Sequence, residues 1–555
     1  MFMKELEASK VADHGYHLEG EEERSLRRAV CTPGTRERIL ANITTWAKDS
    51  SSESQAIYWI FGLAGTGKST IAFTLARRFE LAGNTETTAL GGNFFCSRQF
   101  EETKQAKRIV RTIVYHLALV CEPFANALTR CRFDSINRDV RTQLEALLVR
   151  PWCESESDRL ADPSTPPHYL IVIDALDEID GKGGSDFLRD LLHIINKHHL
   201  RGLKFFATSR PDPALVTHLK SFKDKRLYRL EEVPSEEAQE DIATYLNASL
   251  PYFVGSPEMD RLVSQADGLF IYAATVVKYL ADLQEVEQRK LLDQLLATST
   301  LSIPQTEEDE APLLDQLYLQ LLSNAFYNVP SAVRQDRLKI LHTFICTAER
   351  TSTYIVANLV STSDADSFTK LVDTVLEQLH AVFYTQHDQV FWYHKSFPDF
   401  LFNPDRSKKF WCNEAEHHRR LVDSCFRIMK SGIRFNIAGI QSSFVLDVDN
   451  SMLPDAVKQN IRPFLSYSCR NWDYHLCAVG TRDMAPVCET LSEFLKVPVL
   501  FWIEAMNLLG LRGLCDSMLL KACKWVAEVS VLLAKELMIN LPYGIVRLNS
   551  SRTLG

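Results

Sequence analysis

The sequence predicts an α/β fold with a three-layer parallel-sheet domain, followed by a helical domain, a winged-helix-like domain and a C-terminal helical region. Between residues 56 and 230, short apolar segments alternate with amphipathic helical stretches, a pattern typical of an α/β domain. The segment 169–174 (YLIVID) is an unbroken apolar run, as expected for a strand that is covered on both faces of a parallel sheet. Beyond residue 231, helical periodicity dominates.

The elements of the α/β region follow from the same patterns. Residues 1–30 are polar and mixed in charge, and we expect them to be loosely ordered. A helix is predicted from Thr35, which is a plausible N-cap for the apolar stripe that follows. Strands are predicted at 56–61, 91–96, 169–174, 203–208 and 226–230, and helices at 68–82, 104–120, 139–149 and 185–198. The insertion 151–168 is rich in Pro, Ser and acid, and is predicted to be a surface loop.

The second half of the chain is predicted to be mainly helical, with one hairpin. Two β-rich runs, 381–385 and 389–394, are separated by the turn-like QHD and follow three short helical stretches. Three helices closed by a hairpin match the plan of a winged-helix domain. The predicted division is an N-terminal segment with an anchor helix (1–54), a P-loop domain (55–232), a helical domain (233–330), a winged-helix-like domain (331–412) and a C-terminal helical region (413–555).

Composition excludes several classes of protein. The chain has 62 Lys and Arg against 71 Asp and Glu, a net charge of −9, which disfavours a nucleic-acid binder that works by neutralising phosphates. Its 13 cysteines include no Cys-x-x-Cys pair, so we expect reduced thiols and no zinc ribbon. Lys4, Glu5 and Glu7 interrupt any apolar start, and no apolar run is long enough to span a membrane. A cytoplasmic location is therefore expected.

The most specific motif is Gly62-Leu-Ala-Gly-Thr-Gly-Lys-Ser69, which matches the P-loop pattern G-x-x-x-x-G-K-[ST]. It lies between a predicted strand and a predicted helix, as that motif requires, and this context disfavours an ordinary glycine-rich turn. Lys68 is expected to contact the β- and γ-phosphates of a bound nucleotide, which is ATP or, without the γ-phosphate, ADP, and the Ser69 hydroxyl is expected to bind Mg²⁺. The residues predicted to bind the nucleotide here are Gly62, Leu63, Ala64, Gly65, Thr66, Gly67, Lys68, Ser69 and Thr70.

Acidic and basic residues follow two later strands. Asp174 ends the run 169–174, where a carboxylate can hold Mg²⁺ through water. Asp177 and Glu178 come next, and they either polarise a water, complete the metal shell or lie in an ordinary solvated loop. Arg210 follows the strand at 203–208. It can reach the γ-phosphate if that strand lies beside the strand of Asp174, and otherwise it is a surface arginine.

These three elements, in this order, resemble the NACHT family of signal-transducing (STAND) P-loop ATPases. The resemblance is strongest to the branch of fungal NLR-like proteins and the nephrocystin-3-like N-terminal domain. It rests on Asp174-Ala-Leu-Asp177-Glu178, on Cys31-Thr-Pro-Gly-Thr-Arg36, on Ala-Thr-Ser-Arg210-Pro and on His394-Lys-Ser-Phe-Pro-Asp-Phe-Leu401.

The resemblance implies a role for several further residues. Glu178, with Asp177, would orient the hydrolytic water, and Arg210 would be the first sensor. Thr35 and Arg36 would approach the adenine. His394 would touch the β-phosphate and lock the ADP state, although a buried structural histidine is an equally open interpretation. Relatives often carry a Gly-x-Pro whose proline packs on the adenine, but Gly268-Leu-Phe-Ile lacks that proline, so no residue is predicted for the contact.

Three functions are consistent with these patterns. The first is a nucleotide-dependent switch with slow hydrolysis, in which ADP holds the chain closed and ATP permits self-assembly. The second is a turnover P-loop ATPase or phosphotransferase, and the third is an adaptor that binds nucleotide only for stability. For the switch, the resemblance implies intracellular signalling of the NLR kind, with an unidentified protein ligand or effector, and neither nucleic acid nor a membrane span is expected.

Overall fold

The protein forms two compact units in the computed structural model. The first unit contains Met1–Gln320, His380–Tyr384 and Phe391–Phe397, and the second contains Leu321–Leu379, Thr385–Val390 and Pro398–Gly555. The structure describes residues 2–15, 29–51, 54–82, 87–131, 133–161, 166, 168–230, 233–281, 283–300, 313–361, 365–440, 450–479 and 484–540.

A five-stranded parallel sheet forms the centre of the first unit. Its strands are β1 (Ile57–Phe61), β2 (Thr88–Phe95), β3 (His168–Asp174), β4 (Leu203–Ser209) and β5 (Lys225–Arg229). Their order is β2-β3-β4-β1-β5, and every pairing is parallel. The predicted parallel sheet is therefore confirmed, and β4 lies between β1 and β3, so the carboxyl ends of these three strands share one edge.

Helices cover both faces of this sheet. Ile113, Leu147 and Phe187 belong to a core on one face, whereas Ile43 and Leu75 belong to a separate core on the other. This arrangement gives the three predicted layers. The helices up to β5 are α1 (Phe2–Glu5), α2 (Glu37–Lys48), α3 (Lys68–Ala82), α4 (Ala106–Val120), α5 (Glu122–Leu128), α6 (Val140–Gln143), α7 (Arg150–Glu154), α8 (Glu156–Ala161), α9 (Gly183–His198) and α10 (Pro213–Ser221).

The N-terminal segment packs against the sheet domain. Leu6 and Ala12 are fully buried, and the carbonyl of Ala12 accepts a hydrogen bond from the N–H of Phe95 at 2.9 Å. The N–H of His14 donates to Oδ1 of Asn93 at 2.8 Å. The prediction of loose order is therefore wrong for residues 2–15, while residues 16–28 lie outside the described part of the chain.

The predicted surface loop at 151–168 is also wrong over most of its length. A π-helical turn (Leu144–Val149) leads directly into α7, and α8 follows. Trp152 is buried, and its Nε1–H donates to the carbonyl of Arg201 at 3.0 Å. One large aromatic residue thus anchors a polar insertion to the core, while residues 162–165 and 167 lie outside the described residues.

The remaining helices of the first unit and the hairpin follow β5. The helices are α11 (Ser235–Ser249), α12 (Pro257–Ala266), α13 (Phe270–Leu280), α14 (Glu285–Thr300) and α15 (Leu313–Ala325). After α16 (Ser331–Cys346), α17 (Thr353–Val360) and α18 (Ala365–Gln378), the chain forms the predicted hairpin of β6 (Phe383–Gln386) and β7 (Gln389–Trp392). Its turn residues His387 and Asp388 have φ of 48° and 60°, as a tight two-residue hairpin turn requires.

The second unit is helical beyond the hairpin. Its helices α21 (Glu414–Gly432) and α23 (Pro463–Ala478) pack together through Phe426 and Trp472, whose ring centroids are 5.6 Å apart. Within the stretches of chain that can be described, no helix is both long and apolar enough to cross a bilayer. The helices are α19 (Ser396–Leu401), α20 (Pro404–Ser407), α21 (Glu414–Gly432), α22 (Leu453–Asn460), α23 (Pro463–Ala478), α24 (Ala485–Phe494), α25 (Pro498–Leu508) and α26 (Cys515–Asn540).

Candidate phosphate-binding site

The loop between β1 and α3 is tightly curled around its glycines. Gly65 and Gly67 have φ of 82° and 90°, values that L side chains rarely adopt. A Cβ on Gly62 would lie 2.7 Å from Oγ1 of Thr66, whereas a Cβ on Gly67 would meet no atom within 4 Å. The loop therefore needs glycine for its own shape, and it leaves open space beside Gly67.

Lys68 carries its ammonium into this loop. Its Nζ donates to the carbonyls of Gly62 and Leu63, at 2.6 Å each. Burial, together with the nearby Lys395 ammonium, lowers the pKa of Lys68 to about 8. Lys68 is also the first residue of α3, so the positive end of the helix dipole lies at the same place. Such a loop can hold an anion.

Two of the residues predicted to bind the nucleotide lie in the first turn of α3, beside this loop. Ser69 is exposed there, and Thr70 is half-buried. An exposed hydroxyl at this position can ligate Mg²⁺ beside a phosphate, as the P-loop pattern requires. Among the residues described, no three His, Cys, Asp or Glu side chains form a metal cluster. A Mg²⁺ site here would instead use Ser69 and Asp174 together with water and phosphate oxygens, which are ligands that Mg²⁺ prefers.

Asp174 is held at the end of β3 by a hydroxyl of β4. The Thr208 Oγ1 donates to Oδ1 of Asp174 at 2.6 Å and accepts the N–H of Ala175 at 2.9 Å. Ala175 has φ of 55°, so the chain turns sharply after the strand. One buried hydroxyl thereby orients the carboxylate that sequence analysis assigned to Mg²⁺.

Asp177 and Glu178 follow in a short helical turn and are fixed by neighbouring backbone. Oδ1 of Asp177 accepts the N–H of Arg210 at 3.0 Å, and the Arg210 Nε lies 3.6 Å from Oδ2. Oε2 of Glu178 accepts the N–H of Arg98 at 3.2 Å. The structure therefore brings Asp174, Asp177, Glu178 and Arg210 together, because β4 lies next to β3.

Lys395 also lies against this acidic pair, and sequence reasoning assigned it no role. Its Nζ is 2.7 Å from Oδ2 of Asp177 and 2.8 Å from Oε1 of Glu178. Burial alone would lower the pKa of Lys395, but Glu178 and Asp177 outweigh it and raise the pKa. Likewise, burial tends to raise the pKa of Asp177, yet the Lys395 ammonium holds it below its usual range. The only sequence signal was that Lys395 follows His394 directly after the hairpin.

His394 is a neutral side chain in this setting. Its Nδ1 accepts the N–H of Ser396 at 3.1 Å, so we place the ring proton on Nε2. Burial lowers the pKa of His394 to about 3, helped by the charges of Lys395 and Arg210. A neutral Nε2–H can donate a hydrogen bond to a phosphate oxygen, but the same bonds also suit a structural histidine, so both interpretations remain predictions.

The N-terminal segment reaches the loop through Arg36. Its Nη2 donates to the carbonyl of Thr66 at 3.1 Å, and its backbone N–H donates to Oδ1 of Asp241 at 3.0 Å. The Arg36 guanidinium also lies 4.8 Å from the ring centroid of Phe270. Thr35 is buried beside it. Arg36 therefore links the loop between β1 and α3, called the phosphate loop below, to α11 and α13. The sequence predicted that Arg36 approaches adenine, but it did not predict these contacts.

A second contact from α13 reaches the loop three residues after Gly268. The N–H of Ile271 donates to the carbonyl of Gly65 at 3.0 Å. A Cβ on Gly65 would lie 2.0 Å from Cγ2 of Ile271. The segment 268–271, which lacks the proline of the Gly-x-Pro pattern, thus packs directly on the loop.

Comparisons with known proteins bear on part of this chain. No curated protein has a significantly similar sequence. A structure of the Drosophila ORC bound to DNA has 12% sequence identity, covers 62% of this chain and 88% of that chain, and gives a TM-score of 0.26, which is too low to support a conclusion. Residues 34–210 match the family model of the nephrocystin 3 N-terminal region. Over residues 34–210, this chain is therefore similar to the nephrocystin 3 N-terminal family.

Proposed function

We propose that this protein is an ATP/ADP-dependent molecular switch that binds Mg-ATP and hydrolyses it slowly. The observation that supports it best is the convergence of a phosphate loop, three carboxylates and an arginine at one edge of the sheet. Open α/β sheets bind their ligands at this edge. Lys68 and the loop amides bind the phosphates, while Ser69 and Asp174 hold the metal. Magnesium, when bound, neutralises phosphate charge.

Slow hydrolysis is supported by the state of the acidic pair. A residue that orients the attacking water needs a carboxylate oxygen available to accept its proton. Oε1 of Glu178 is 2.8 Å from Lys395, and Oε2 accepts the Arg98 N–H. Both oxygens of Glu178 are therefore engaged by positive or donor groups, which disfavours rapid turnover.

We further propose that the switch is of the NACHT/STAND class and acts in intracellular signalling of the NLR kind. The resemblance of the acidic signature and the match over residues 34–210 support this class. The position of His394 and Lys395 beside the site supports it too, since both follow the hairpin of the predicted winged-helix domain. The same proposal includes ATP-dependent self-assembly, a protein ligand or effector, a cytoplasmic location and the predicted domain boundaries.

The test is to identify and measure the bound nucleotide. Purified protein is denatured, the released nucleotide is separated on a column, and ATP and ADP binding with Mg²⁺ is measured by calorimetry. Lys68→Ala should abolish binding, since it removes the buried cation of the loop. Lys104→Ala is the matched control, because this lysine is also largely buried and pairs with Glu101, with 2.7 Å between Nζ and Oε2.

Single-turnover and steady-state rates of ATP hydrolysis together distinguish the switch, the turnover enzyme and the adaptor. Tightly retained ADP with slow turnover supports a switch, and many turnovers per second would favour an enzyme. Nucleotide binding without any hydrolysis would favour an adaptor. Equal ATP affinity of the wild type and Lys68→Ala would refute the assigned site.

A further inference from the structure

The ion pairs of Lys395 are built into the first unit rather than formed by a loose surface side chain. The Lys395 side chain is only 18% exposed, and those of Asp177 and Glu178 are 10% and 14% exposed. Partly buried pairs of this kind are screened less by water and salt than surface pairs. At this depth the ammonium contacts both carboxylates at once.

The hairpin strand β7, which ends at Trp392, three residues before Lys395, is anchored next to the same site. The N–H of Trp392 donates to Oε1 of Gln99 at 3.3 Å, and the rings of Phe391 and Phe100 have centroids 5.6 Å apart. Gln99 and Phe100 follow Arg98, whose N–H contacts Glu178. One short segment after β2 therefore holds both the hairpin strand and the glutamate.

Lys395 adds positive charge to the site, but it is not the only group that orients the two carboxylates. Its ammonium adds a positive charge near Lys68, and it is therefore one of the groups that lower the pKa of Lys68. If Lys395 withdrew, Asp177 would keep the Arg210 N–H and Glu178 would keep the Arg98 N–H. The carboxylates would then stay oriented, but Glu178 would lose its lysine partner, while Asp177 would keep the Arg210 guanidinium, whose Nε lies 3.6 Å from Oδ2. Glu178 would become a stronger proton acceptor, as an unpaired carboxylate is a better base than a paired one.

We propose that Lys395 is a brake on hydrolysis: its ammonium occupies Asp177 and Glu178, and ATP is hydrolysed faster when the hairpin strand withdraws it. This inference rests on the proposed function, because it assigns a regulator to the same acidic pair. Lys395 is a regulatory residue here, while Glu178 remains the residue that acts on the water.

The first experiment compares single-turnover hydrolysis of Mg-ATP in three proteins. Lys395→Met keeps the length of the side chain but removes its charge, and should raise the rate about ten-fold or more, since a positioned base contributes about 10²–10⁴. Lys104→Met is the control, because its side chain is 13% exposed and also pairs with two acids, Glu101 and Asp180. Its rate should stay within about two-fold of the wild type.

The second experiment needs no nucleotide. Hydrogen exchange of peptides covering 389–397 should be about ten-fold faster in Lys395→Met than in Lys104→Met, because the ion pairs hold this strand. Gln99→Ala removes the acceptor of the Trp392 N–H while leaving the lysine and both acids in place. It should also accelerate hydrolysis, and it serves as the test variant if Lys395→Met fails to fold.

The outcomes distinguish the brake from the function it regulates. The brake is overturned if Lys395→Met binds ATP normally but hydrolyses it at the wild-type rate or more slowly, since Lys395 would then be structural or catalytic. Unchanged exchange over 389–397 would overturn the claim that the pair holds the hairpin strand. The proposed function fails separately, if the wild type binds no ATP, binds it as Lys68→Ala does, turns it over many times per second or does not hydrolyse it at all.

Discussion

The contact between Gly65 and Ile271 predicts that two glycines of the phosphate loop differ in their tolerance of a methyl group. Gly65→Ala would place a Cβ 2.0 Å from Cγ2 and 2.5 Å from Cβ of Ile271. Its φ of 82° adds strain of about 1–2 kcal/mol, and overpacking adds about 1–3 kcal/mol. Gly67→Ala has the strain alone, because nothing lies within 4 Å of its Cβ. We therefore expect about 2–5 kcal/mol of destabilisation at Gly65 and about 1–2 kcal/mol at Gly67.

Thermal unfolding of nucleotide-free protein measures this difference. Unfolding entropy is about 2.1 cal/mol/K per residue, so for a first unit of about 330 residues each kcal/mol lowers the midpoint by about 1–2 °C. Gly65→Ala should lower the midpoint of the first unit by about 3–7 °C, and Gly67→Ala by about 1–3 °C. The second unit supplies an internal reference, because neither glycine belongs to it.

A double-mutant cycle identifies Ile271 as the cause. Ile271→Ala removes Cγ2, the atom that would lie closest to the new methyl group, but keeps the Cβ at 2.5 Å, and its backbone N–H still donates to Gly65. The double variant should therefore be less destabilised than the sum of the two single variants, by about 1–3 kcal/mol. Equal losses at the two glycines, or an additive cycle, would refute the packing of α13 on the loop.

Three further predictions address other parts of the molecule. Thr208→Val should cost about 1–3 kcal/mol and weaken Mg²⁺-dependent ATP binding, because it removes the hydroxyl that donates to Asp174, whereas Thr208→Ser should restore both; equal calorimetric affinities would contradict this. Glu178→Gln should keep ATP binding but slow hydrolysis and favour assembled particles in size-exclusion chromatography, and unaltered single-turnover hydrolysis would remove its assigned role. Burial lowers the pKa of His418 to about 4, so the unfolded chain, which titrates at 6.5, binds the proton first as the pH falls. The free energy of unfolding of the second unit, measured in urea, should then fall by up to about 3 kcal/mol between about pH 6.5 and about pH 4, and fall less in His418→Gln; equal losses would exclude the burial of His418 as the cause.

The parts of the site that could be predicted from the sequence are those encoded locally. The phosphate loop needs its glycines and Lys68 within eight consecutive residues, so the pattern itself states which atoms meet. Asp174 could be placed because an unbroken apolar run must be a buried strand, and a buried strand of a parallel sheet must end at its ligand-binding edge. The order of the strands was not encoded locally, and it brought Thr208 and Arg210 to Asp174 and Asp177.

The features that were missed depend on single residues acting over long distances in the chain. Leu6 and Ala12 bury an otherwise polar segment, and Trp152 does the same for a polar insertion. Isolated apolar residues produce no periodicity, so neither segment could be distinguished from a loop. Lys395 was missed for the same reason, since it meets Asp177 across 218 residues of sequence.

Three separate stretches of the chain converge on the phosphate loop and its acids, and this convergence is what a switch requires. Arg36 and Ile271 each bond to a loop carbonyl, while Lys395 bonds to the acids beside it. A ligand can shift a conformational equilibrium only by as much as it binds one state better than the other. Because Arg36 and Ile271 contact the loop itself, any change in the shape or charge of the loop must alter the energies of their bonds. A change in the loop can therefore act on Arg36 and on α13 at the same time, while Lys395 responds to the charge of the acids beside it. Substitutions of Arg36 and of Lys395 can remove two of these contacts separately.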